Sequence, residues 1–183
     1  DYTAKLHAAQ TGLKKYPQSP SANDLKEQAA EVLTPRLMVE IPFAYPAREV
    51  DLKVKYRNLT GLTVELYRMN LPVTSNILER EITASTVSQY GKLVGTRHYQ
   101  LAATPDYMET DTLLRYKFPT EGIYILKSIP DGHSKYTAYG KAYVSSLQAI
   151  SLGLPGGKQE INIIDRLTGH PVAGTEVAYY RVL

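Results

Sequence analysis

From Tyr2 to Leu33 the apolar positions recur at steps of three and four. Tyr2, Leu6, Ala9, Leu13 and Tyr16 fall on one side of a helix, and Pro17 ends it. After the Pro-rich turn, Ser19 is placed to cap and Pro20 to enter the first turn of a second helix, whose Ala22, Leu25, Ala29, Val32 and Leu33 again share a side. Thr34-Pro35 closes it. Two short amphipathic helices cannot bury their apolar faces alone, so the hairpin over residues 1–35 is predicted to dock on another element.

From Arg36 the period switches to two. Val50, Leu52, Val54 and Tyr56 fall on one face of a half-buried strand, with Asp51, Lys53, Lys55 and Arg57 on the other. Turn residues Asn58 to Gly61 lead into a partner strand with Leu62, Val64 and Leu66 inward, which reads as a hairpin. Further strands are predicted at Leu37 to Ile41, Arg97 to Ala102, Thr112 to Phe118, Gly122 to Ile129 and Tyr136 to Ser145. About seven short strands separated by turn signals predict an antiparallel β-sandwich over residues 36–145, two sheets packed face to face. Between Asn70 and Tyr90 the residues Ile77, Leu78 and Ile82 show no clear period, so a long connection or an edge strand is expected there.

A second β unit begins near Val144. The segments LQAISL and QEINIID read as strands separated by GLPGGK, and TEVAYYRVL reads as a third. The 38 residues from 146 to 183 fall below the roughly 40 at which an unsupported fold becomes unstable. An incomplete unit with open strand edges is expected to pack on the sandwich or to pair with a second copy of the chain, as a homodimer.

Composition narrows the function. Tyr is abundant (15, against 2 Phe and no Trp), which suits half-buried strand surfaces. With 21 basic and 18 acidic residues spread along the chain, no electrostatic grip on nucleic acid is expected. Cysteine is absent, which excludes disulfides, thiolate metal sites and thiol nucleophiles within this segment. No run reaches the roughly 20 apolar residues of a membrane helix, so no membrane span is expected. The chain opens without Met and stops inside an apolar run, and both ends read as cut.

The turn DRLTGHPVAGTEV has a structural job for each polar group. Asp165 and Thr168 can bond the turn backbone, Gly169 and Gly174 supply bends, and Pro171 fixes φ. LGLPGGKQ lacks the leading glycine and the Ser or Thr after lysine of a phosphate-binding loop, and reads as a hairpin turn at Gly156-Gly157. Asp106, Glu109 and Asp111 could lend oxygens to a hard cation but read as a solvated acidic loop. His7, His98, His133 and His170 lack the spacing of helical zinc ligands. Asn58-Leu59-Thr60 matches a glycosylation sequon and reads as a turn. No catalytic, cofactor-binding or metal-binding residue is predicted, and no Gly-x-Ser-x-Gly element is present.

DRLTGHPVAGTEV, with AYVSSLQAI upstream, resembles the start of the second type of macroglobulin domain in the alpha-2-macroglobulin family: an aspartate, a Thr-Gly-x-Pro turn and a later glycine before a Val-x-Tyr strand. The stretch from YPQSPSAND to KYRNLTGLTVELYR is similar to the helix-then-strand entry of bacterial members, so the resemblance covers about Tyr16 to Tyr180. It implies a mainly β, macroglobulin-type, immunoglobulin-like sandwich behind a helical hairpin, followed by the first strands of a second macroglobulin-like domain. It implies a non-catalytic scaffold segment of an endopeptidase inhibitor of the bacterial cell envelope, periplasmic or membrane-anchored, with adjacent macroglobulin domains and, through the full-length protein, proteases as partners. The family's thioester is built on a Cys-Gly-Glu-Gln motif and cannot form here without cysteine. The alternative function is a cell-surface adhesion or carbohydrate-binding sandwich, for which the Tyr-rich SKYTAYGKAY would be the platform.

Overall fold

The computed structural model describes residues 1–71 and 76–177. Two helices, α1 (Tyr2–Lys15) and α2 (Ala22–Leu33), precede the strands. Asp1 caps α1 by accepting from the Thr3 and Ala4 amides. The second helix begins later than the Ser19 cap predicts. Ser19 and Pro20 stay in the connecting turn, where the Ala22 amide donates to the Ser19 carbonyl (2.9 Å), and Ser21 occupies the cap position. Most of the apolar pattern faces inward: Leu6, Ala9, Ala29 and Val32 form a small core with Tyr2, Leu25 and Tyr107, whereas Tyr16 and Leu33, at the helix ends, are exposed.

The sandwich consists of β1 (Arg36–Glu40), β2 (Glu49–Arg57), β3 (Gly61–Met69), β4 (Gly91–Gln100), β5 (Thr110–Lys117), β6 (Gly122–Pro130) and β7 (Ala138–Val144). They form a three-stranded sheet, β1-β2-β5, and a four-stranded sheet, β4-β3-β6-β7, antiparallel throughout. This is an immunoglobulin-like arrangement, and the predicted inward residues fill it, but β2 and β3 do not pair as the expected hairpin: the turn at Asn58–Thr60 carries the chain from one sheet across to the other, so their inward faces oppose each other across the core. Leu52, Val54 and Tyr56 of β2 meet Leu62, Val64 and Leu66 of β3 in one core, crossed by the tilted ring series Tyr116, Phe118 and Tyr124 at 5.5 Å spacings. Burial pushes the Tyr116 hydroxyl up to about 12.

Both open sides of the sandwich are closed. On one, β1 and β7 approach so tightly that a Cβ on Gly140 would sit 2.6 Å from Ile41 Cδ1, and Ala44 bridges Val144 in parallel. On the other, Arg97 and Tyr99 of β4 both donate to the Arg115 carbonyl of β5, at 3.2 and 2.8 Å.

Of the stretch without clear period, the described residues 76–90 lie on the outer face of the four-stranded sheet. They carry helix α3 (Ala84–Tyr90) and bury Ile82 and Val87 against Met69 and Ile125. β6 is therefore covered on both faces, and Tyr124, Ile125 and Leu126 are consecutive buried residues. β4 starts at Gly91, well before the predicted Arg97. As an edge strand exposed on most positions of both faces, it has no alternation to read.

The largest correction falls on Arg57. Alternation placed it with Lys53 and Lys55 on the solvent face, yet it is 1% exposed. Its Nη2 donates to the Glu31 carbonyl (2.9 Å) and the Thr34 carbonyl (3.4 Å), and its guanidinium lies 5.2 Å from the Tyr2 ring centroid. Beside it Asn58, at φ 56°, donates through Nδ2 to the Val32 carbonyl (2.7 Å). The last carbonyls of α2 lack helical partners, and a cation and an amide satisfy them. The helical hairpin is thereby fastened to the β2–β3 turn.

Beyond the sandwich, β8 (Leu147–Leu154) and β9 (Lys158–Asp165) form a separate two-stranded ribbon around the Gly156-Gly157 turn, both glycines at positive φ. The third predicted strand is not seen over Thr175–Val177, and its remainder, residues 178–183, lies outside the described residues.

Candidate interdomain junction

The DRLTG turn closes β9 in the way its residues predict. Asp165 Oδ1 accepts from the Leu167 amide (2.9 Å), the Thr168 amide (2.8 Å) and the Thr168 hydroxyl (3.0 Å). The Thr168 amide and hydroxyl hold the Asp165 carboxyl below its ordinary value. Gly169 takes φ 72° and donates to the Asp165 carbonyl. Pro171 then bridges Ile164, and the Val172 amide donates to the Ile163 carbonyl (2.9 Å), so the chain returns along β9.

Arg166, which no sequence motif singles out, points from this turn back to the sandwich. Its guanidinium lies 4.8 Å from the ring centroids of both Phe43 and Tyr45, and its Nη1 donates to the Ser145 carbonyl (3.1 Å). Its amide donates to the Ser146 carbonyl (2.9 Å), and Tyr45 Oη donates to the Arg166 carbonyl (3.4 Å). Opposite, Glu121 Oε1 accepts from the Ser146 amide (3.0 Å) and the Ser146 hydroxyl, whose hydroxyl and amide bonds hold the Glu121 carboxyl below its ordinary value. Phe43 and Arg166 are 123 positions apart, so no local signal could have paired them.

The other candidates do not converge on a reactive centre. Glu109 receives Lys55 (3.3 Å) and Arg36 (3.1 Å), bonds that hold its carboxyl low, at the rim of a cleft of about 710 Å³ between Pro35–Met38 and Tyr136–Ala138. Asp106 caps the Met108 amide, and Asp111 sits on β5 opposite Lys55. His98 pairs with Asp131 (2.8 Å), His133 lies against the Tyr136 ring, His170 accepts from the Asp165 amide through its carbonyl, and His7 is exposed on α1. Among the described residues no three His, Cys, Asp or Glu side chains gather as a metal site, and no helix is long and apolar enough to cross a membrane. The Tyr-rich stretch is divided: Tyr139 packs on the Ile125 cluster, while Tyr143 faces outward.

No family model and no curated protein matches the chain in sequence. Solved structures do match in fold. A crystal structure of native alpha-2-macroglobulin from Escherichia coli spanning domains MG0-NIE-MG1 superposes with a TM-score of 0.58 at 15% identity, over 75% of this chain and 47% of that one. A second crystal structure of the same protein, spanning NIE-MG1, gives 0.50 at 14% identity, over 75% and 73%. The present chain thus spans about half the length of the longer fragment. The fold is that of bacterial alpha-2-macroglobulin domains, in agreement with the resemblance carried by the sequence motifs.

Proposed function

We propose that the chain is a non-catalytic scaffold segment of an alpha-2-macroglobulin-like endopeptidase inhibitor of the bacterial cell envelope. In this reading residues 1–35 are a helical entry, 36–145 a macroglobulin-like sandwich, and 146–183 the first strands of the next macroglobulin-like domain. The observation that carries it is the order of parts: a sandwich with the fold of the E. coli fragments leads directly into a ribbon bearing the Thr-Gly-x-Pro turn. The polar side chains of that turn are engaged in holding backbone, which suits architecture rather than turnover.

Its part in inhibition is to place neighbouring domains, and proteases meet the full-length protein. The test is a protease-capture assay on that protein: a captured protease keeps activity on a small peptide substrate and loses it on a protein substrate. Failure to retain any protease on size exclusion would refute the reading.

A further inference from the structure

Val144 ends β7 and Leu147 begins β8, so only Ser145 and Ser146 join the sandwich to the ribbon. So short a link leaves two bodies free to swivel unless side chains hold them. We propose that Phe43 and Tyr45 form a socket for the Arg166 side chain that locks the angle between sandwich and ribbon, making the junction a rigid elbow.

Two observations carry this. First, Phe43 is 75% exposed. It contributes nothing to the sandwich core, yet its ring takes the Arg166 cation at 4.8 Å, as Tyr45 does, inside the roughly 6 Å over which a ring quadrupole attracts a cation. Second, the contacts around the link come from both bodies. Arg166 donates to the carbonyls of Ser145 and Ser146, Tyr45 to the carbonyl of Arg166, and Ser146 to Glu121 of the sandwich. A planar guanidinium suits the place because it stacks on rings while its edge still donates. Arg48, 5.8 Å from the Tyr45 ring, adds a cation to the same aromatic. The purpose, holding successive modules at a set angle, rests on the function proposed above; the geometry does not.

The chain has no cysteine, so Thr96→Cys on β4 and Ser151→Cys on β8 give two unique spin-label sites for a distance distribution by pulsed electron resonance. The parent chain should give one narrow distribution. Arg166→Ala should raise the share of open conformers on the order of tenfold, and Phe43→Ala somewhat less. Arg166→Lys, which keeps charge but not planar stacking, should fall between parent and Arg166→Ala. Phe43→Ala removes an exposed ring and should leave the unfolding midpoint of the sandwich unchanged, so it still reports if Arg166→Ala folds poorly. A broad distribution in the parent, or narrow ones in both alanine variants, would overturn the proposal. A loose elbow leaves protease capture to be judged by its own assay, and failed capture leaves the measured distances standing.

Discussion

β2 and β8 show how the same kind of apolar content meets different fates. In β2 the alternating Leu52, Val54 and Tyr56 are buried beneath a second sheet, whereas each of the eight residues of β8 is exposed. On the ribbon, Ile150, Leu152, Leu154 and Ile164 share one face, and Leu147, Ala149, Ile161 and Ile163 share the other. Apolar residues on both faces are the pattern of strands covered from both sides, and a two-stranded hairpin alone is only marginally stable. Periodicity thus specifies a strand, but burial is conferred by what packs on it.

The comparison is sharpest when one substitution is made in both places. Leu52→Ala should cost about 2–5 kcal/mol in urea unfolding, because its site is closed and fully buried. A loss below about 1 kcal/mol would mean the sheets are not tightly packed. Next in size, Arg57→Ala should cost about 2–3 kcal/mol, since it strands the carbonyl of Glu31 under the helices and leaves the Thr34 carbonyl only the long bond from Asn58 Nδ2 (3.4 Å). The same variant should expose the α1–α2 turn to limited proteolysis, and an unchanged cleavage rate would contradict the fastening role.

Smaller effects follow. Tyr124→Phe should cost about 1 kcal/mol, because its hydroxyl donates to the Thr120 carbonyl (3.0 Å) at the start of β6, a tyrosine corner of the immunoglobulin-like kind. Glu65 lies below its ordinary value because the Lys127 ammonium donates to it (2.9 Å) and the Tyr67 hydroxyl adds a second bond. A depressed carboxyl stabilises the fold above its ordinary value of 4.5 and loses that contribution as pH falls through the lower folded value. The urea midpoint should therefore drop on acidification below about pH 4.5, and Glu65→Gln should flatten part of that drop. Smallest of all, Leu152→Ala on the ribbon should stay within about 0.5 kcal/mol. A loss like that at Leu52 would show a cover over β8.

Where alternate positions face the core, as in β2 and β3, side-chain alternation makes the strands and the core legible in the sequence, though not which strands pair. It caught only the last residues of β4, which is wet on nearly every position, and was silent at the Ile82–Val87 cover, whose residues pack on an outer sheet face instead of between sheets. At Arg57 it misled, because a residue type that normally seeks water is drawn inside by three-dimensional neighbours, the unpaired carbonyls of α2. The turn chemistry of Asp165, Thr168 and Gly169 was readable since it is local. Arg166 was not, because its aromatic partners come from the other end of the chain.

Asn58 carries the acceptor pattern for an N-linked sugar, and its side-chain nitrogen is the atom that a glycan would occupy. That nitrogen is already committed to the end of α2. Production in a secretory eukaryotic host would therefore set sugar transfer in competition with helix docking: chains glycosylated before folding would hold their helices detached, and chains that folded first would emerge unmodified. Replacing Thr60 with alanine would remove the acceptor pattern while leaving the Asn58 side chain in place.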